Sequence, residues 1–332
     1  VPRDVAVVGV TWDDGTGTGA RPQIRVQRDG AWEPWADVDV ETCAGCGTGE
    51  VRAGTEPVVL TGATRVEARI LSTGGSAARA PRLSVIDGTA VVEGDGTAAA
   101  APARTAATTT AGSVGFNAGA AAAVRPVPAG LPGPRISMPA KRAAWRATEN
   151  RVTARVPRLA PRGVVVHHTA GTNDYTRAQV PAILRGIQRF HSQSRGWSDI
   201  GYNALVDRFG GVWEGRRGGI GIPHRGAHAQ GVNDLYLGVA YIGDTTRSPA
   251  TPVAFDTMTD LIAWTSARYG FDLTGTFWSR GVNRPVMIGH GQVNRTSCPG
   301  TDLRNRLPQM RTAAQEQAQQ YLRISRENAG RG

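Results

Sequence analysis

The chain of 332 residues is almost without lysine: Lys141 is the only one, although Lys and Arg together number 38. Its positive charge is arginine charge, and with so much Ala and Gly this reads as coding bias rather than mechanism. No run of 18 or more apolar residues occurs, which excludes a transmembrane helix. Val1-Pro2-Arg3-Asp4 offers no basic start leading into an apolar core, so no signal peptide is visible. A processed, secreted form would look the same. Cysteine is scarce too, limited to Cys43, Cys46 and Cys298. Cys43-Ala-Gly-Cys46 supplies two ligands, too few for a zinc site alone. It reads as a small local disulfide, which fits an oxidising compartment, or as two free thiols. Cys298 has no evident disulfide partner.

The net charge of +11 is unevenly spread. Residues 1–97 hold 9 Arg against 14 Asp and Glu, a balance of −5, which leaves +16 for the rest. The C-terminal part therefore suits an anionic partner, nucleic acid or an anionic cell-wall polymer, or simply carries a solvated basic face. No basic–aromatic strand pattern or helix-turn-helix accompanies the charge, which argues against nucleic acid.

Composition divides the chain into four. Residues 1–97 carry short β-branched or alternating segments at 4–12, 23–27, 56–60, 65–71 and 82–86, with a hairpin turn at Asp29-Gly30. They predict a small all-β sandwich. Trp32 and Trp35 flank Pro34, as core residues or as exposed rings able to stack on sugars. Residues 98–140 are rich in Ala, Pro and Thr and lack periodicity, a linker expected to let its neighbours move independently. Residues 141–325 are globular again, and 326–332 are a tail. Strand signals at 163–168, 201–207, 212–216, 237–242 and 286–290 alternate with helical ones at 176–192, 255–269 and 303–324. The fold class is α/β, a central sheet covered by helices on both faces.

The chemistry concentrates at strand ends. Val164, Val165 and Val166 run into His167 and His168 and suit a strand buried on both faces. Neighbouring strand residues point to opposite faces, so one imidazole faces the site and the other packs behind it. A second strand ends at His290, and Cys298 follows in Thr296-Ser297-Cys298-Pro299-Gly300. Two imidazoles and one thiolate form a donor set suited to Zn²⁺, and three protein ligands leave a fourth position open, the catalytic pattern. Such an ion makes water acidic near neutral pH and polarises a carbonyl, the chemistry of amide or ester hydrolysis. Separate structural roles for these residues are the alternative. His191, at a helix end, reads as a packing or capping residue.

Val166-His167-His168-Thr169-Ala170, Trp197-Ser198-Asp199-Ile200-Gly201-Tyr202-Asn203, Val212-Trp213-Glu214-Gly215-Arg216, Gly226-Ala227-His228 and Cys298-Pro299-Gly300 occur in that order. Together they resemble the peptidoglycan recognition protein family, which shares its fold with the type 2 N-acetylmuramoyl-L-alanine amidases. The resemblance covers about residues 136–312, and the β domain plus linker resembles secreted actinobacterial members. It implies a mostly mixed central sheet flanked by helices, and zinc held by His167, His290 and Cys298. It implies catalytic assistance from Tyr202 and oxyanion stabilisation by Thr296. Contacts to the substrate would come from His168, Asn203, Trp213, Arg216 and His228. The reaction implied is hydrolysis of the amide between the muramic acid lactyl group and L-Ala of peptidoglycan. A module that binds muropeptides without cutting them is the alternative, and the presence of Cys298 favours the enzyme. A glutamate base that some relatives carry on the strand at 237–242 is replaced here by Ala240, which supports a mechanism through Tyr202. The implied location is secreted, at the cell wall.

Overall fold

The computed structural model describes residues 1–2, 4–41, 51–90, 127–135, 139–149 and 156–331. Cys43 and Cys46, with the disulfide expected there, lie outside the described residues.

The N-terminal domain is an all-β sandwich, as expected. Its strands are β1 (Ala6–Asp13), β2 (Ala20–Arg28), β3 (Ala31–Trp32), β4 (Ala36–Asp37), β5 (Val40–Glu41), β6 (Arg52–Thr55), β7 (Val58–Leu60), β8 (Arg65–Ser72) and β9 (Arg82–Asp87). In one antiparallel sheet β1 lies between β9 and the pair β6 and β7; in the other, β2 lies between β8 and the pair β3 and β4. The two-residue repeat of β1 sends Ala6, Val8, Val10 and Trp12 inward against Ile24 and Val26. Val5 and Val7 join a different cluster, shared with the second domain. Burial on both faces explains why β1 is a nearly continuous apolar run. Trp32 and Trp35 are outside this core and half-buried; the Arg25 guanidinium lies 4.7 Å above each ring.

The second domain is built on a mixed sheet in the order β12-β11-β13-β10-β16. The strands are β10 (Gly163–His168), β11 (Ala204–Val206), β12 (Val212–Glu214), β13 (Tyr236–Tyr241) and β16 (Met287–Gly289); a separate hairpin joins β14 (Thr276–Ser279) to β15 (Val282–Pro285). All neighbours in the main sheet are parallel except β12, which folds back on β11. Helices α2 (Pro252–Tyr269) and α3 (Thr301–Ala329) cover one face, packing on Val164, Val166, Val206 and Val239. Helix α1 (Val180–Arg189) covers the other through Leu205 and Ala240. No helix among the described residues is long and apolar enough to cross a membrane.

The helix ends follow their local chemistry. Helix α1 is shorter than the periodic stretch 176–192 because a capped 3-10 turn, Arg177–Gln179, precedes it and a π turn, Phe190–Ser194, follows. Thr251 caps α2 by accepting from the Ala254 N–H, and Gly270 ends it at φ +70°. Helix α3 continues through most of the expected tail. There Ser325 Oγ and the Asn328 amide donate to the carbonyls of Ala129 and Gly130. These carbonyls belong to residues 127–135, inside the expected linker. That segment is strapped over α2 and α3, and Trp264 Nε1 donates to Pro132 O at 2.9 Å.

Independent movement of the two domains is not what the structure shows. Val5, Val7 and Val59 share one buried cluster with Val180, Ile183, Leu184, Ile187 and Phe190. Backbones approach so closely that a Cβ on Gly186 would stand 2.4 Å from Val7, and one on Gly9 2.4 Å from Phe190. Arg195, fully buried, donates to the carbonyls of Arg52 (2.9 Å), Thr55 (3.0 Å) and Glu41. Val59 bridges to Gly171, and the Thr172 N–H donates to Val59 O at 2.9 Å.

Candidate metal centre

Strand β10 is fixed on both edges by parallel neighbours, so the end that carries His167 and His168 is held rigidly. The register sets His167 beside Ala240 of β13. His290 opens a 3-10 turn directly after β16, and Cys298 sits in the loop before α3. That loop is closed by Gly291 N–H donating to Cys298 O at 2.8 Å. The ligand atoms of His167, His290 and Cys298 lie within 4.8 Å of one another, all buried.

Hydrogen bonds decide which nitrogen each imidazole presents. His228 Nε2 faces the Tyr236 carbonyl at 3.3 Å, an acceptor only, so this nitrogen carries the proton. His228 Nδ1 is then an acceptor for the N–H at His167 Nε2, 3.0 Å away. That leaves the His167 Nδ1 lone pair, 3.5 Å from Cys298 Sγ. The second imidazole follows the same logic. Asn294 donates through its amide nitrogen to Gln230 O, so its oxygen accepts from His290 Nε2 at 3.1 Å. His290 Nδ1 is buried with no hydrogen-bond partner among the described residues. His228 and an asparagine thus engage the two Nε2 atoms from behind and leave both Nδ1 lone pairs for a metal. The His228 ring fits because Gly226 and Gly238 flank it; a Cβ on either would come within 2.5 Å of Cδ2.

The electrostatics suit a cation. Burial, with neighbouring imidazoles, holds His167 well below its usual range, and burial lowers His290, so both are in the neutral, ligating form. Burial also pushes the Cys298 thiol well up. A bound cation reverses that, and the His168 N–H, 3.4 Å from Sγ, is a donor ready for a thiolate. In a tetrahedral zinc site an N···S edge is about 3.6 Å long, close to the 3.5 Å between His167 and Cys298. The orphaned His290 Nδ1 and the soft-plus-borderline donor set therefore fit zinc.

Tyr202 stands beside this group, its ring 5.3 Å from that of His167. Its buried hydroxyl has no partner among the described residues, and burial raises its pKa well above the usual value, so it is a protonated donor.

Residues 157–301 match the family described as N-acetylmuramoyl-L-alanine amidase. Residues 3–111 match a family described as Rv3811 N-terminal galactose-binding domain-like. Peptidoglycan-recognition protein SC1a of Drosophila melanogaster is 34% identical over 147 residues, 43% of this chain and 70% of that protein. The chain belongs to the peptidoglycan recognition protein family. N-acetylmuramoyl-L-alanine amidase of Homo sapiens is 34% identical over 168 residues, 49% of this chain and 26% of that protein.

The remaining residues singled out in this family member take varied places. Thr296 Oγ1 accepts from the Cys298 N–H at 3.1 Å and donates to Asp39 of the N-terminal domain at 2.8 Å. His168 is buried; its Nδ1 accepts from the Thr245 N–H at 3.2 Å, and burial outweighs the charge of Asp244 to bring it down to about 4. His228 stands behind His167, as the hydrogen-bond chain requires, and is fully buried. Asn203 is a cross-brace, taking the Gly238 N–H on its oxygen and giving its amide to His224 O. The Arg216 guanidinium is directed at the carbonyls of Ile200, Arg225 and Asp199, and Trp213 Nε1 donates to Asp207. These contacts turn Asn203 and Arg216 towards internal backbone partners. His191 is a packing residue, stacked on Trp197 at 4.5 Å.

Three acids that the sequence did not single out reach the site from the other domain. Asp39 accepts from Thr296 Oγ1, Ser297 N–H and Ser297 Oγ. Glu41 lies 3.8 Å from Arg195 and 4.0 Å from His191; burial pushes its pKa up to about 8. Glu56 Oε1 lies 3.6 Å from His290 Nδ1. The one available signal was Glu56 itself, an acid followed by Pro57 in an otherwise apolar strand segment.

Proposed function

We propose that the chain is a zinc-dependent N-acetylmuramoyl-L-alanine amidase, hydrolysing the amide between the muramic acid lactyl group and the L-Ala of the stem peptide. The observation that carries this reading is the convergence of the buried ligand atoms of His167, His290 and Cys298, with both imidazole tautomers fixed from behind. Zinc, when bound, supplies a Lewis acid for the amide carbonyl and a water made acidic near neutral pH. The chain supplies the rest. The two imidazoles stay neutral, and Tyr202 stays protonated and would donate a hydrogen bond to charge developing on the carbonyl oxygen. Thr296 Oγ1 is the second donor of that kind once Asp39 no longer holds it. The substrate class comes from the names of the relatives, and an anionic wall polymer matches the +16 of residues 98–332. The reading places the protein outside the cytoplasm, at the cell wall.

The test is mass spectrometry of the products from defined muropeptides, run on zinc-loaded protein, on chelated protein and on Cys298→Ser. Release of free stem peptide by the zinc-loaded chain alone is the expected result. Full activity after chelation refutes the zinc dependence, and muropeptide binding without any cleavage supports a recognition module instead.

A further inference from the structure

Glu56 poses a physical problem that the rest of the N-terminal domain does not. It is 2% exposed, and its Oε1 has no hydrogen-bond partner among the described residues. It is held there firmly. Its N–H donates to Asp39 O at 2.9 Å, Pro57 restricts the backbone after it, and the preceding Thr55 is tied to Arg195 through its carbonyl and to the Val10 N–H through its hydroxyl. A carboxyl group buried without donors either keeps its proton, as burial favours for Glu56, or needs a cation beside it to ionise. Arg195, the nearby guanidinium, lies against the other buried acid, Glu41. What Glu56 does face is two members of the ligand set, His290 and Cys298. Its Oε1 is 3.6 Å from His290 Nδ1, and a Glu56 oxygen lies within 4.8 Å of Cys298 Sγ. An N···O edge of a tetrahedral zinc site is about 3.3 Å long. Glu56, His168 and Cys298 also form a trio of that size, but it shares Cys298, and His168 Nδ1 is already taken by Thr245.

We infer that Glu56 is the fourth ligand of the metal, so that the N-terminal domain closes the coordination position a substrate carbonyl needs. This rests on the zinc site proposed above. Three protein ligands from one domain make the open, catalytic pattern, and a fourth from the other makes a closed one. The same domain holds Thr296 and Ser297 through Asp39, so two parts of the site are engaged by one covering element. A substrate enters only by displacing the Glu56 carboxylate.

The experiment uses the full chain loaded with Co²⁺, whose visible spectrum reports coordination, and formate as a free carboxylate. Glu56→Ala and the same-sized Glu56→Gln are compared with wild type. Formate is expected to shift the spectra of both variants in a saturable way. The wild type should need at least about tenfold more formate, because a tethered carboxylate outcompetes a free one. If Glu56→Ala does not fold, Glu56→Gln carries the comparison. Equal responses from wild type and variant overturn the role of Glu56 and leave the three-ligand site standing. A wild-type chain showing no sulfur-to-cobalt charge-transfer band overturns the three-ligand site, and this inference with it.

Discussion

His228 offers the sharpest test of how the site is tuned, because it hydrogen-bonds His167 at Nε2 and so sets which nitrogen is left for the metal. Replacing it by Ala removes the acceptor 3.0 Å from His167 Nε2. The His167 N–H is fully buried, so leaving it without a partner costs about 1–3 kcal/mol of folding stability. Without that acceptor, the tautomer presenting Nδ1 is no longer favoured. Loss of an outer partner of this kind lowers metal affinity about 10–100-fold, or about 1.4–2.7 kcal/mol. His228→Asn is the control, since Asn Oδ1 falls near the position of the imidazole Nδ1 and restores the acceptor. Zinc affinity is measured by competition with a chromophoric chelator on the full chain. Ala should weaken binding by the stated factor and Asn should recover most of it. An Ala variant that binds zinc within about twofold of wild type would refute the tautomer chain running from the Tyr236 carbonyl to the metal.

Three further outcomes follow from the same contacts. Tyr202→Phe removes a hydroxyl that has no partner among the described residues; denaturant unfolding should show stability unchanged or raised, while peptide release falls about 10²–10³-fold. Arg195→Met leaves three buried carbonyls without the guanidinium that donates to them, which should cost about 3–5 kcal/mol in urea unfolding of the metal-free chain. Glu41 titrates near 4.5 when unfolded and at about 8 when folded, so folding takes up a proton between those values. Its contribution is fully present below pH 4.5 and is lost as the pH rises towards about 8. Glu41→Gln should flatten that part of the stability–pH curve of the metal-free chain, and an unchanged slope would assign the titration elsewhere.

The sequence was informative where a physical constraint is local. The apolar run of β10, the periodic face of α1 and the caps of α2 are short-range signals, and the elements fall close to the expected positions. His167 and His290 stood out because strands end at them and Cys298 because it follows His290 closely in sequence, and the fold gathers all three. Asn203 and Arg216 lie inside motif stretches but are turned inward by backbone partners that no residue pattern encodes. Least legible was the union of the two domains. Gly9 and Gly186 make it possible by being absent as side chains, and Arg195 resembles any other arginine until three distant carbonyls converge on it. Asp39, Glu41 and Glu56 were hidden for the same reason. Each is an ordinary strand or turn acid until the second domain supplies its surroundings.

Arg195 also bears on the order of events during synthesis. Its three carbonyl acceptors, on Glu41, Arg52 and Thr55, emerge from the ribosome more than a hundred residues before it does. Domains fold as units, the N-terminal one first. The β sandwich therefore meets the nascent second domain as a finished surface with Glu41 and Glu56 still hydrated. The strand ends that carry His167 and His290 assemble against that surface. On the inference drawn for Glu56, the cover is in place before the site beneath it exists, so the metal position would be made shut and opened later.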